Sequence, residues 1–371
     1  MTRGERLEAT VAAIAPFDHI AAADAAALFD AKTKPPGSLG RLEDLGCRIA
    51  GALGSLPPPR ISKAIVVAAA DHGVTAQDVS AYPSEVTRQM LWNFANGGAA
   101  VCVLGARADA RLVVVDCGVA PGPTPPGVRV EVVDDLRGTN DLTSGPAMDR
   151  GTAVGLIERG IAVTSELADD GVGVLALGEM GIGNTTAASA IVAALTGTDA
   201  ASLCGPGTGL DPDGVRRKAQ AIRRGLAANG LPRPGGDPID VQAAVGGLEI
   251  AFLVGVVLGA ASRRRAVVLD GFITGAAALV AARIAPASVG SMIAATRSPE
   301  PGHAVVLAEL GLEPVLDLSL RLGEGSGAAL ALPLLDAAVA ILHEMATFDS
   351  AGVSGPAGTP DAPRAGVRTD A

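Results

Sequence analysis

Short apolar runs recur along the chain, each ending in a glycine-bearing loop and followed by an Ala-rich stretch with apolar positions at helical spacing. This alternation predicts βαβ units, with a mostly parallel sheet and helices packed on it. Lys63 to Ala70 (KAIVVAAA) reads as a buried strand with Asp71, His72 and Gly73 at its carboxyl end. Leu112 to Val115 is a second strand, ending in Asp116-Cys117-Gly118, and Val172 to Leu177 is a third. Leu269 to Ile284 (LDGFITGAAALVAARI) is again strand, loop and helix. Val315 to Leu322 (VLDLSLRL) alternates as a strand ahead of a long apolar helix from Ala328 to about Met345.

The first 53 residues differ, because TVAAIA and DAAALFDAK place apolar positions at helical rather than strand spacing. KPPGSLGRLEDL from Lys34 is a turn followed by an amphipathic turn, and SLPPPR from Ser55 is a linker. The expected organisation is α/β, a Rossmann-like three-layer domain with a mostly parallel sheet over residues 59–327. A small helical domain would combine the helices of residues 1–58 with the helix of residues 328–350. Residues 351–371 have Gly, Pro, Ala and Asp but no apolar period, which predicts a disordered tail.

Two loops carry the candidate chemistry. Gly178 to Asn184 (GEMGIGN) holds three glycines, Glu179, and an N-cap for the following helix in Asn184 or Thr185. A helix N-terminus offers unpaired N–H groups and partial positive charge, and glycine admits a phosphate close to the backbone. The order G-x-x-G-x-G is neither the dinucleotide fingerprint nor a P-loop, so spacing alone leaves a tight βα turn and a phosphate site both open. Gly323 to Gly327 (GEGSG) repeats the grammar of a Gly-flanked glutamate before a helix. In an open parallel sheet, ligands bind beyond the carboxyl ends of the strands, so the two loops could face one crevice.

Other stretches add polar candidates. Ser80 to Trp92 (SAYPSEVTRQMLW) begins as a turn and becomes a helix with Ser84 as N-cap, and it gathers the only Tyr, the only Trp and Gln89. Cys204 to Lys218 (CGPGTGLDPDGVRRK) is a Gly-rich turn opening a helix that carries Lys218, and SPEPGH from Ser298 is a tight polar loop. Asp71 and His72 favour structural or substrate-orienting roles over metal ligation, since none of the four His residues pairs with another at ligand spacing.

At 371 residues the chain holds one large α/β domain with a smaller accessory one. Its formal net charge of −10, from 29 basic and 39 acidic side chains, comes with no cationic stripe, which argues against nucleic acid and anionic membrane as partners. The most apolar windows are interrupted by Glu249, Arg263, Asp270 and Arg283, so none reaches the length of a spanning helix. Four cysteines without a C-x-x-C pair, and no secretory signal pattern, lead to the expectation of reduced thiols in a cytoplasm.

KPPGSLGRLE at Lys34, ADHGV at Ala70, SAYPSEVTRQM at Ser80, GEMGIGNTT at Gly178, LDGFITGAA at Leu269, EPGH at Glu300 and LGEGSGA at Leu322 together resemble the nicotinate-nucleotide:dimethylbenzimidazole phosphoribosyltransferases. The motifs stand in family order over roughly residues 30 to 348, far more specific than one Gly loop. The resemblance implies that nicotinate mononucleotide and 5,6-dimethylbenzimidazole become α-ribazole 5′-phosphate and nicotinate, with inversion at the anomeric carbon, in the making of cobalamin's lower ligand.

That chemistry needs a general base for the benzimidazole N–H, and by resemblance the base is Glu324. The leaving group is already a pyridinium and departs neutral, so no cofactor and no metal are expected. Matching the family pattern, Ser80 and Gln89 would touch the benzimidazole, with Tyr82, Met90 and Leu322 forming an apolar slot. Glu179 and Lys218 match further polar positions, and the 5′-phosphate would rest on Gly181, Gly183, Asn184, Gly207, Thr208 and Ser298. The family also implies a homodimer acting on small-molecule substrates.

Plainer roles stand beside these: Glu179 and Lys218 as a mutual ion pair, Gln89 as a solvated helix residue, Thr208 as a simple cap. Two positions depart from the family, Pro206 where a Gly-Arg-Gly-Thr-Gly turn carries Arg, and Thr296 where a His is common. Two other functions fit parts of the chain. Val130 to Gly145 (VEVVDDLRGTNDLTSG) resembles the loop of phosphoribosyl-pyrophosphate-dependent transferases, with Asp134 and Asp135 as the ribose-binding acids, but lacks the turn that should follow them. A non-catalytic nucleotide or azole binding protein would have the same pockets and no use for Glu324 as a base.

Overall fold

The structure is a computed structural model that describes residues 3–207, 209–233 and 235–354. Six strands, β1 (Ser62–Ala70), β2 (Ala110–Gly118), β3 (Arg129–Val130), β4 (Val172–Met180), β5 (Ala266–Leu269) and β6 (Met292–Ala294), form one sheet. Their order is β3-β2-β1-β4-β5-β6 and every pair is parallel. The chain therefore builds outward from β1 to β3, crosses back to β4, and builds outward the other way. Central β1 shows why its sequence is unbroken by polar residues. Ala64, Val66, Ala68 and Ala70 enter one core while Ile65, Val67 and Ala69 enter the other, as a strand covered on both faces requires.

Three helices precede the sheet: α1 (Glu5–Ala13), α2 (His19–Asp30) and α3 (Arg41–Leu53). Helices α4 (Glu85–Ala95) and α5 (Ala100–Arg107) join β1 to β2, and α6 (Arg150–Asp169) leads from β3 back to β4. Between β4 and β5 lie α7 (Asn184–Thr196), α8 (Ala200–Leu203), α9 (Pro212–Ala228), α10 (Pro238–Val245) and α11 (Leu248–Ser262). Then α12 (Phe272–Ile284) precedes β6, and α13 (Pro301–Leu310), α14 (Ser326–Glu344) and α15 (Phe348–Ala351) follow it. Helices α6, α7, α11 and α12 pack on one face of the sheet, and α3, α4, α5 and α14 on the other. This is the expected three-layer architecture.

Beyond the layers, Ala21, Ala25 and Phe29 of α2, Ala50 of α3 and Leu342 of α14 make a separate small core. No residue of α1 belongs to it. Leu7 joins the core on the α6 and α11 side, and Oε1 of Glu158 on α6 accepts the N–H groups of Gly4, Arg6 and Leu7 at 3.0, 3.0 and 3.2 Å. A carboxylate from α6 thus caps α1 and fixes where it packs.

Two boundaries differ from expectation for identifiable reasons. β4 runs on through Gly178, Glu179 and Met180 instead of yielding to a loop at Gly178, because β1 goes on pairing with it as far as Ala69 opposite Met180. Val315 to Leu322 is not a strand. Only Val315 and Leu316 pair, with the end of β6 and the residues after it, while Ser319 turns left-handed at φ 55° and Leu318 and Leu322 face solvent. Helix α15 is capped by the Thr347 hydroxyl on the Ser350 N–H and ends at Ala351. Residues 355–371 lie outside the described residues.

Candidate active site

A cleft opens beyond the carboxyl ends of β4, β5 and β6, where a parallel sheet places its ligands. Residues of the spans 179–185, 270–273, 296–300 and 320–327 line it, together with Gly207. The space it bounds, open solvent included, is about 740 Å³. Helices α7, α12 and α14 all start at its wall, and all three have glycine as N-cap: Gly183, Gly271 and Gly325. Helix ends without a capping side chain of their own leave N–H groups and partial positive charge for another acceptor.

Glu324 occupies a turn in which Gly323, Glu324 and Gly325 have φ of 80°, 64° and 87°. The left-handed conformation costs a non-glycine residue about 1 kcal/mol, so surrounding contacts must hold Glu324 there. One such contact is with β4. A Cβ at Gly178 would lie 2.7 Å from the Glu324 carbonyl carbon, so the turn rests directly on the strand backbone. Glu324 is only 8% exposed and, among the described residues, its carboxylate has no hydrogen-bond partner. Burial raises its pKa above the ordinary carboxylate range, which makes it a stronger base.

Two further acids share this wall. Glu179 accepts a hydrogen bond from Nδ2 of Asn184, and burial together with the charges of Asp270 and Glu249 pushes its pKa to about 8. Asp270 directly follows β5, and burial raises its pKa to about 7 against the pull of three backbone hydrogen bonds. A third buried acid, Glu300, accepts the Gly207 N–H at 2.9 Å. Against these acids, Arg321 is the one cation among the described lining residues.

Lys218 supplies positive charge from behind the cleft. It is fully buried on α9, and its Nζ donates to Oγ1 of Thr185 at 2.7 Å, close under Gly207. Burial lowers its pKa, with Glu300 opposing the shift. On the other side of the glycine loop, Nε2 of His72 stands 2.8 Å from Oε1 of buried Glu249. Burial alone would lower the His72 pKa, but the Glu249 charge and hydrogen bond outweigh it and raise it. His303 behaves oppositely: burial, with the Arg297 charge, brings it down to about 4, and its Nδ1 accepts the Ser298 N–H at 3.0 Å. Among the described residues no three His, Cys, Asp or Glu side chains are grouped to hold a metal ion.

Of the residues singled out from sequence, Glu179, Gly181, Asn184, Gly207, Ser298, Leu322 and Glu324 line the cleft. Gly183 caps α7 facing Thr75 and His72, and Lys218 stands behind Thr185. Ser80, Tyr82, Gln89 and Met90 are not among the lining residues: Tyr82 is 53% exposed, Gln89 faces solvent, and Met90 packs against the core under α4. The Ser80 hydroxyl accepts the Tyr82 N–H at 3.2 Å. Their segment is nonetheless tied to the cleft, because Oγ1 of buried Thr87 accepts the Ile182 N–H at 3.1 Å. Thr208 lies outside the described residues.

Several expectations need correction. Ser84 precedes α4 but makes no side-chain capping bond, and Asn184 spends its amide on Glu179 instead of capping α7. Glu179 and Lys218 do not pair, since each has the other partner just described. Asp134 and Asp135 do not reach the cleft. Asp134 forms a two-pronged bridge to Arg3 at 2.8 and 2.9 Å and accepts from Thr152 at 3.0 Å on a separate surface, and Asp135 is exposed. Sequence reasoning missed Asp270, Glu300, Thr185 and Arg321. Asp270 had a visible signal, an acid directly after an apolar strand and before Gly and a helix, the same grammar as Glu179 and Glu324.

A family model described as "Phosphoribosyltransferase" matches residues 14–353. The nicotinate-nucleotide–dimethylbenzimidazole phosphoribosyltransferase of Chloroflexus aurantiacus is 52% identical over 348 residues, covering 94% of this chain and 98% of that one. That of Salinispora tropica is 50% identical over 362 residues, covering 94% and 99%. Among solved structures, the enzyme of the same name from Thermus thermophilus superposes with a TM-score of 0.84 at 45% identity, covering 91% of this chain and 99% of that one.

Proposed function

The chain belongs to the nicotinate-nucleotide–dimethylbenzimidazole phosphoribosyltransferase family, and from that premise we infer that it transfers the phosphoribosyl group of nicotinate mononucleotide to 5,6-dimethylbenzimidazole. A benzimidazole ring nitrogen forms a bond to the ribose anomeric carbon as the bond to the pyridinium nitrogen breaks. The bonding pair leaves on the pyridinium nitrogen, releasing neutral-ring nicotinate. The product would carry positive charge on the benzimidazole unless the other ring N–H gives up its proton, and Glu324 takes it.

The observation that carries this reading is the state of Glu324: buried, without a hydrogen-bond partner among the described residues, and raised in pKa, inside a cleft walled by three helix N-termini. The α7 N-terminus suits the 5′-phosphate. Gly181, Gly183, Asn184, Gly207, Thr208 and Ser298 would contact it through backbone and side-chain donors, with the Lys218 charge behind Thr185. The acceptor base would take the side of Leu322, with Ser80, Tyr82, Gln89 and Met90 brought to it by the α4 segment that Thr87 fastens to Ile182.

Helices α2 and α3 with the end of α14 would form the small domain. A cytoplasmic homodimer fits the four unpaired cysteines and the exposed Leu318 and Leu322 at the cleft side of the molecule. The anomeric configuration of the product tests the reaction. A single displacement on the β-nucleotide gives only the α-riboside by NMR, whereas a β product would overturn the displacement.

A further inference from the structure

Helix α14 starts at a residue unable to cap it. Its N-cap, Gly325, has no side chain, and 19 helical residues follow. The missing acceptor comes from a different element. Oδ1 of Asp270, at the end of β5, accepts the Ala328 N–H at 2.9 Å, and the same carboxylate takes backbone hydrogen bonds from Gly325 and Gly327. Asp270 is itself anchored, since Oγ1 of Thr296, just after β6, donates to its carbonyl oxygen at 2.9 Å. The fit is close: a Cβ at Gly327 would lie 2.9 Å from Oδ1 of Asp270 and 2.8 Å from Oγ1 of Thr296.

We propose that Asp270 is the positioning residue for the general base, capping α14 from β5 and thereby setting the Gly323–Gly325 turn that aims Glu324 into the cleft. The proposal rests on the reading of Glu324 as the base. Glu324 is the one non-glycine among the three successive left-handed residues of the turn and so needs an external restraint. Two neighbouring strands supply it, β4 through the Gly178 backbone beneath the turn and β5 through the Asp270 carboxylate ahead of it. A charged carboxylate is the strongest acceptor available to a helix N-terminus, which explains an acid held in so buried a place.

Asp270 and Glu179, on neighbouring strands, both face the Glu324 side of the cleft, while the cations are farther off, Arg321 among the lining residues and Lys218 behind Thr185 next to Glu300. Burial is what raises the Glu324 pKa.

The experiment compares D270N and E324Q with wild type, using nicotinate release from nicotinate mononucleotide and dimethylbenzimidazole across pH. D270N is expected to lose at least about tenfold in kcat, the scale of a slightly misplaced catalytic group, with KM for the mononucleotide within about threefold. The melting temperature should stay near wild type while kcat falls at constant KM, a split that mere loosening of the fold would not produce. Wild-type kcat overturns the proposal, and so does a rise in KM alone, which would make Asp270 a substrate contact. Should D270N fail to fold, D270E keeps the charge and displaces it by one methylene. Lost kcat with KM unchanged then supports the proposal, and wild-type kcat overturns it. An active E324Q overturns the reading of the base instead, and an active E324Q beside an inactive D270N would make Asp270 the acting group and overturn both.

Discussion

Gly178 and Glu324 meet backbone to backbone: a Cβ at position 178 would lie 2.7 Å from the Glu324 carbonyl carbon and 2.8 Å from the Gly325 nitrogen. The central strand of the sheet is thus the seat on which the acid-bearing turn rests, and only a residue without a side chain fits between them. Gly178→Ala should leave the sheet paired, since a strand tolerates Ala, but push Glu324 outward. We expect a loss of about 10- to 100-fold in kcat, the scale of a roughly 1 Å misplacement, with native circular dichroism. Wild-type kcat would mean that the turn can shift without consequence.

Stability should depend on pH through Glu179. Its folded pKa of about 8 lies above the ordinary value of about 4.3 in the unfolded chain, so the folded state holds this proton more tightly. Stability is therefore lost as pH rises from about 4.3 through about 8, and the raised Asp270 adds to the loss in the same direction. Glu179→Gln removes the Glu179 part and keeps an acceptor for Asn184. Its melting temperature should gain on wild type steadily from pH 5 to pH 9, and a gap independent of pH would contradict the assignment.

Lys218 puts its charge behind Thr185 and Gly207 rather than into the cleft. Lys218→Met should raise KM for nicotinate mononucleotide by about 10- to 100-fold, matching the loss of one charge-assisted contact. The riboside lacking the 5′-phosphate should be used equally by variant and wild type. An equal loss on both substrates would move Lys218 from phosphate recognition to a purely structural role.

Asp134 serves Arg3 and Thr152 on a face apart from the cleft. Replacing both Asp134 and Asp135 by Ala should leave kcat/KM within about twofold and the melting temperature close to wild type, since exposed ion pairs contribute little. Collapse of activity in that variant, or dependence on Mg²⁺ and phosphoribosyl pyrophosphate, would restore the rival transferase.

The layers of the fold were legible because buried parallel strands must be apolar on both faces, and β1, with Ala, Ile and Val at every position after Lys63, leaves no other reading. The end of β4 was not, because Gly-Glu-Met looks like a loop and only pairing with β1 keeps it extended. Val315 to Leu322 misled in the opposite sense: its alternation is real, but the sheet has an edge there and only two residues find partners. In the site, glutamates flanked by glycines could be seen along the chain. Asp270 holding Gly325, Gly327 and Ala328, or Glu158 capping α1, joins residues more than 50 positions apart, and no local pattern encodes such a contact. The α4 segment was picked out for its aromatics, yet the residue that ties it to the cleft is Thr87, a small buried hydroxyl with nothing unusual around it in sequence.

The central claim is that Glu324 takes the proton from the attacking base, and one assay addresses it most directly: nicotinate release from nicotinate mononucleotide and dimethylbenzimidazole, with chelator present, for wild type and Glu324→Gln. Wild type should turn over with an acid limb above the ordinary carboxylate pKa, because burial raises Glu324. The Gln variant should bind both substrates and lose kcat by about 10²- to 10⁴-fold, the usual contribution of a positioned general base. A Gln variant that releases nicotinate at the wild-type rate would contradict the account.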